Sequence, residues 1–215
     1  MSTGKGNKSH HFSHHFNSAE HEYQTGKEGV WIFMTSEILM FGGLFVAYII
    51  YAGLQPEVFE QGAKTLDWMK GALNTVILLT SSLTMVLGIH HLQHDNLKKA
   101  ALNLWITVIC AIGFMVVKYI EYSGKFHHGY FPGEMFSGDN HGIANLGQYF
   151  SFYYMMTGLH GIHVVIGAIL IAWCAIRTKR GEFGSHNFAF VEGVGIFWHL
   201  VDLIWIFLFP LLYLV

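Results

Sequence analysis

Residues 149–176 read YFSFYYMMTGLHGIHVVIGAILIAWCAI, an apolar run broken by His160 and His163 and by no Asp, Glu, Lys or Arg. About 20 residues of helix cross a bilayer. The apolar character of the run goes all the way round instead of alternating with a period of two. That excludes a strand of a membrane barrel and leaves a helix as the way to satisfy the backbone in lipid. Reading outward, four more runs have the same character: Val30 to Ala52, Gly71 to Leu92, Ala100 to Tyr122 and Phe188 to Val215. The predicted fold is therefore all-α, an integral membrane bundle of five transmembrane helices over residues 29–215. A polar, His-rich tail precedes it over residues 1–28.

The composition agrees. Hydrophobic residues make up 53% of the 215 and charged residues 12%, against about 25% charged in a soluble domain. Aromatic residues reach 16% and prolines number 3, as long uninterrupted helices require. A net charge of −2 leaves no electrostatic footprint for a nucleic acid. Cys110 and Cys174 both sit inside apolar runs, without partners at metal-ligand spacing, and read as small packing residues. The first run is about 23 residues long and follows a polar tail, so it reads as a span and not as a removable signal.

The connections are polar. Gly53 to Lys70 contains Gln55-Pro56-Glu57, and His94 to Lys99 is a tight basic turn. Ser123 to Gln148 carries Phe131-Pro132-Gly133 and Ser137-Gly138-Asp139-Asn140 as turn signals, and Arg177 to Asn187 joins the last two runs. Alternating helices put Lys5, Lys8, Lys27, Lys98, Lys99, Arg177, Lys179 and Arg180 on one side. Lys64, Lys70 and Lys125 fall on the other. The positive-inside rule then predicts a cytoplasmic N-terminus and a C-terminus on the opposite side. Trp68 and Tyr130 are candidate interface anchors. No internal repeat or inverted pair of broken helices supports a transporter.

Ionisable groups inside a bilayer are costly and mark candidate functional positions. Glu37 lies about 10 Å into the first run. Glu192 enters the fifth from the same side. Glu121 stands three residues after Lys118, close enough for the two to neutralise each other. His160 and His199 fall near mid-membrane, with His163 and Asp202 further along the same two helices. One reading makes His160, His163, His199 and Asp202 polar glue between the fourth and fifth helices; the other gives His199 and Asp202 a part in proton transfer. Glu37 has no basic residue nearby on its own helix. It reads either as a buried protonated carboxyl or as a group with a proton or lipid-headgroup role. Arg177 and Arg180 suit anionic headgroups.

Histidine clusters raise a metal reading. His90-His91-Leu92-Gln93-His94 looks like one box of a membrane di-iron enzyme. The topology scatters the others, however, with His127 and His128 at the opposite face and His160 and His163 mid-membrane. A haem between His160 and His199 is a further alternative. The tail, with His10, His11, His14 and His15, reads as a surface segment. A free-standing membrane metalloenzyme or cytochrome b using these clusters is the main alternative function, and no metal ligand is assigned.

Several motifs, in order along the chain, resemble subunit III of the haem-copper terminal oxidases, the cytochrome c and quinol oxidases. Ser36-Glu37-Ile38-Leu39-Met40-Phe41 is similar to the family's intramembrane Ser-Glu motif. Asn74-Thr75 with Leu78-Leu79 and Ser81-Ser82 is similar to its next helix, and Glu121-Tyr122 to the Glu-Tyr ending the one after. Thr157-Gly158-Leu159-His160-Gly161-Ile162-His163-Val164 matches its two-histidine motif, and Trp198-His199-Leu200-Val201-Asp202-Leu203-Ile204-Trp205 its ending. The resemblance implies a multi-pass subunit of the bacterial inner membrane in a complex that reduces O2 to water. On that reading this chain binds no redox centre. Haems and copper belong to partner subunits, and phospholipid is bound. It packs beside catalytic subunit I and other oxidase subunits, with a quinol-oxidising complex as a further candidate partner and no nucleic acid. Longer members have seven spans, the first two leaning away to form a lipid-filled cleft, and this chain begins where the third would. Glu37 matches the family Glu associated with lipid contact and with proton delivery near subunit I.

Overall fold

A computed structural model describes residues 19–138, 145–185 and 187–214. Among them are six α-helices: α1 (Ala19–Leu54), α2 (Pro56–Lys64), α3 (Trp68–Gln93), α4 (Leu97–His127), α5 (Leu146–Lys179) and α6 (Ala189–Tyr213). A single 3₁₀ turn, Gly133–Met135, lies between α4 and α5. The described residues contain no strand. Five helices, all but α2, are long and apolar enough to cross a membrane. The protein is thus an all-helical, multi-pass membrane bundle.

Four of the five spanning helices, all but α6, outrun their apolar runs, because backbone signals and not hydropathy stop them. At the end of α3, Asn96 N–H donates to the His91 carbonyl (2.9 Å) and Asp95 N–H to that of Leu92 (3.1 Å), with Asp95 at φ +54°. This is a Schellman ending with Asp in the left-handed position that glycine usually takes. Asn96 then turns its side chain to accept from Lys99 N–H and so caps α4, which makes the α3–α4 turn very short. α5 ends the same way, with Gly181 at φ +76° and bonds from Gly181 to Thr178 (3.0 Å) and Glu182 to Arg177 (3.1 Å).

Two elements depart from the sequence expectation. α1 opens at Ala19, inside the stretch read as tail; residues 1–18, with their histidines, lie outside the described residues. Likewise, Asp139 and Asn140 of the predicted turn are not described. The Gly53–Lys70 connection folds into α2, which starts on Pro56, a residue already fixed at a helical φ. Its buried face, Val58, Phe59, Gly62 and Ala63, caps the bundle end. Phe59 meets Tyr48 and Tyr149 edge to face at 4.9 and 5.8 Å, and Gly62 lies directly under the Tyr149 ring, where a Cβ does not fit.

The core is formed by α3, α4, α5 and α6. Small residues bring the backbones close, as lipid-embedded helices need. Gly88 faces Leu104, Gly167 faces Trp198 and Gly195 faces Ile89. α1 stands outside this core. Its buried apolar positions are Met34, Phe41 and Tyr48, spaced by seven residues. It therefore leans on the bundle along one narrow seam and leaves Ile32, Leu39, Ile49 and Leu54, among others, exposed.

Candidate functional site

Glu37 falls on that seam, three residues after Met34 and four before Phe41, with its side chain 13% exposed. Opposite it, α5 presents His163, whose ring meets the Phe41 ring edge to face at 5.5 Å. His163 Nδ1 donates to the Leu159 carbonyl at 2.7 Å. That bond fixes the ring, and Nε2 stands 2.8 Å from Glu37 Oε2. The contact has ion-pair distance without the alignment of a hydrogen bond. The contact brings an acid and an imidazole, two groups that can each hold or release a proton, to one point on the α1–α5 seam.

The second polar group lies towards the other end of the bundle. Lys118 and Glu121, 5% and 4% exposed, meet at 3.0 Å. Lys118 Nζ also donates to the hydroxyls of Tyr153 (3.2 Å) and Tyr213 (2.8 Å), so all three ammonium protons are used. Tyr213 in turn donates to Glu121. Rings of Tyr122, Tyr153, Trp205 and Tyr213 surround the ammonium at 5.0–5.5 Å, where their faces attract it. The cluster ties α4, α5 and α6 together. Tyr213 and Tyr153 were not identified from the sequence: they lie 92 and 35 residues from the charges they bond.

The remaining candidates separate. His199 Nδ1 hydrogen-bonds the Ser82 hydroxyl of α3 at 2.7 Å. Beside it, Trp198 and Trp205 donate to Ser81 (3.0 Å) and Thr75 (3.1 Å). His160 is fully buried against Phe114 and Trp205. Neither of its ring nitrogens has a hydrogen-bond partner among the described residues, and the Asp202 carboxyl lies beside the Ser81 and Ser82 hydroxyls of α3. Among the described residues, these polar contacts of His163 and His199 run to other helices than the expected pairing of the fourth and fifth spans. His163 faces α1 and His199 faces α3, because residues three apart on a helix point about 60° apart, and different neighbours flank each direction. Arg177 lies over the Trp173 ring at 4.4 Å and pairs with Glu182 at 3.1 Å. Arg180 is exposed at the C-cap of α5. Glu192 sits in the first turn of α6, where the helix dipole favours a carboxylate. Among the described residues no three His, Cys, Asp or Glu side chains converge as a metal-binding group.

The fold and these sites define a class: a multi-pass helical membrane protein with ionisable side chains, among them the Lys118–Glu121 ion pair, buried inside the bundle. Comparison with known proteins narrows it. The family model described as "Cytochrome c oxidase subunit III" matches residues 9–215. "Cytochrome c oxidase subunit 3" of Thermostichus vulcanus is 33% identical over 187 residues, covering 86% of this chain and 85% of its own. Its namesake from Bacillus sp. (strain PS3) is 29% identical over 190 residues, 86% and 84%. "Heme-copper oxidase subunit I+III" of Aeropyrum pernix is 30% identical over 196 residues, covering 88% of this chain and 22% of the longer protein. The chain belongs to the cytochrome c oxidase subunit III family, and is a subunit III of a terminal oxidase.

Proposed function

We propose that this chain is the non-catalytic subunit III of a proton-pumping haem-copper oxidase that reduces O2 to water in the bacterial inner membrane. It stabilises catalytic subunit I, carries phospholipid and supports proton uptake, while haems and copper stay on the partner subunits. The observation that carries the reading is the family match over nearly the whole chain. The Aeropyrum pernix relative, named as subunits I and III in one protein, supports a position beside subunit I. The exposed apolar length of α1 supports lipid or partner helices along that face. Glu37 and His163 support the proton role, since an acid and an imidazole meet there at 2.8 Å inside the membrane-spanning bundle. The alternative of a cytochrome b with His160 and His199 as axial ligands gains nothing from the geometry. His160 lies between Phe114 and Trp205, and His199 faces Ser82.

Purification in mild detergent tests the proposal. A haem-bearing subunit I is expected to travel with this chain in equal amount, and the reading fails if the polypeptide alone carries stoichiometric haem or iron.

A further inference from the structure

His90 and His94 stand one turn apart at the end of α3, both exposed, with ring centroids 4.4 Å apart. His94 Nδ1 lies 2.9 Å from the His90 carbonyl oxygen. A carbonyl only accepts, so Nδ1 carries the proton, and in the neutral ring Nε2 presents its lone pair outward. Imidazoles that bind metals are commonly held this way, with one N–H anchored on a carbonyl and the other nitrogen turned to the ion. Residues four apart share a face, and the end of a helix carries partial negative charge, which favours a cation.

The surroundings limit the site. The His91 ring is 5.8 Å from that of His90, on a neighbouring face. The nearby Asp95 carboxylate accepts from Ser185 N–H and from the Ser185 hydroxyl, both at 2.8 Å. Lys98 and Lys99 begin α4 and oppose a cation. With no third protein ligand converging among the described residues, water completes the coordination shell and the ion exchanges readily.

We propose that His90 and His94 form a two-imidazole site for a borderline divalent cation of the Zn2+ class, for which imidazole is a suitable ligand. This departs from the expectation that the chain holds no metal. A bound ion bridges residues 90 and 94 and so fastens the last turn of α3 beside the short turn into α4. The test uses the intact oxidase and Zn2+ as the probe, read by equilibrium dialysis and by amide hydrogen exchange over residues 87–96. Zn2+ is expected to slow exchange there in the parent protein. His90→Ala removes one imidazole and leaves the His94 anchor in place, and it is expected to weaken this binding by about tenfold or more. His91→Ala is expected to leave binding unchanged. The proposal is overturned if Zn2+ gives no protection over residues 87–96, if His91→Ala abolishes it as fully as His90→Ala, or if only replacing His10, His11, His14 and His15 removes the bound ion.

Discussion

At the residue scale, the contact between Glu37 and His163 separates two roles, docking of α1 and exchange of a proton. Glu37→Gln keeps a polar group of the same shape against Nε2, so α1 is expected to dock and the subunit to assemble normally. What the amide cannot do is accept or release a proton. The expected outcome is normal assembly with faster loss of activity during turnover or reduced lipid retention, read by sustained oxygen consumption and by lipid analysis of the purified complex. Parent-like behaviour in both assays removes the functional claim. Lys118 allows a second expectation. Replacing it with Met strands the buried Glu121 carboxylate, a loss of about 3–5 kcal/mol, read as earlier thermal dissociation of the subunit. The paired change Lys118→Met with Glu121→Leu is expected to recover only part of that loss, because buried Lys125, whose charge Glu121 also offsets, is then left without it. The buried acids were legible in the sequence because an ionisable letter inside an apolar run is conspicuous. Lys118 and Glu121 were legible as a pair because they lie three apart. The partner of Glu37 was not, since it belongs to a helix more than a hundred residues away and nothing local records which helices touch.

At the scale of elements, hydropathy located the five spans but not their ends. The ends are set by Asp95, Asn96 and Gly181, whose capping bonds let helices run on past the apolar core. α2 was missed because its polar letters, Glu57, Glu60 and Lys64, dominate a nine-residue stretch. Its Pro start and its buried Val58, Phe59 and Ala63 were the available signals. α1 is the element held least firmly. Its seam rests on Met34, Phe41 and Tyr48, so Phe41→Ala is expected to loosen α1 from α5 and α6. The cost lies below the about 3–5 kcal/mol of a water-soluble core, because moving a side chain between lipid and protein interior contributes little. Faster amide exchange over residues 34–48 measures it. Ile38→Ala, 54% exposed in the parent, serves as the control and is expected to change nothing.

For the whole molecule, the order of the antiparallel spans puts the start of α1 at the same end as the α3–α4 and α5–α6 connections, with α2 and the α4–α5 connection at the other. That first end carries Lys98, Lys99, Arg177, Lys179 and Arg180. The Asp95–Ser185 bonds join its two connections into one polar surface. The opposite end is closed by aromatic packing: Tyr130 stacks on Phe136 and Phe150 at 5.8 and 5.1 Å. The tight turns thus gather on the basic side and the long aromatic cap on the other. Under the positive-inside rule the basic end faces the cytoplasm. Single cysteines at Lys98 or Lys179, placed in a background with Cys110 and Cys174 replaced, are expected to react with an impermeant thiol reagent only from the cytoplasmic side. A cysteine at Glu60 or Lys64 is expected to react only from the other side. Labelling of both pairs from the same side breaks the alternation of the helices. Clean labelling with the sides exchanged leaves the bundle intact and inverts its orientation. In that case Glu37, near the α1 end that carries the basic residues, faces away from the compartment that supplies protons for uptake, and the proton role proposed for it falls with the orientation.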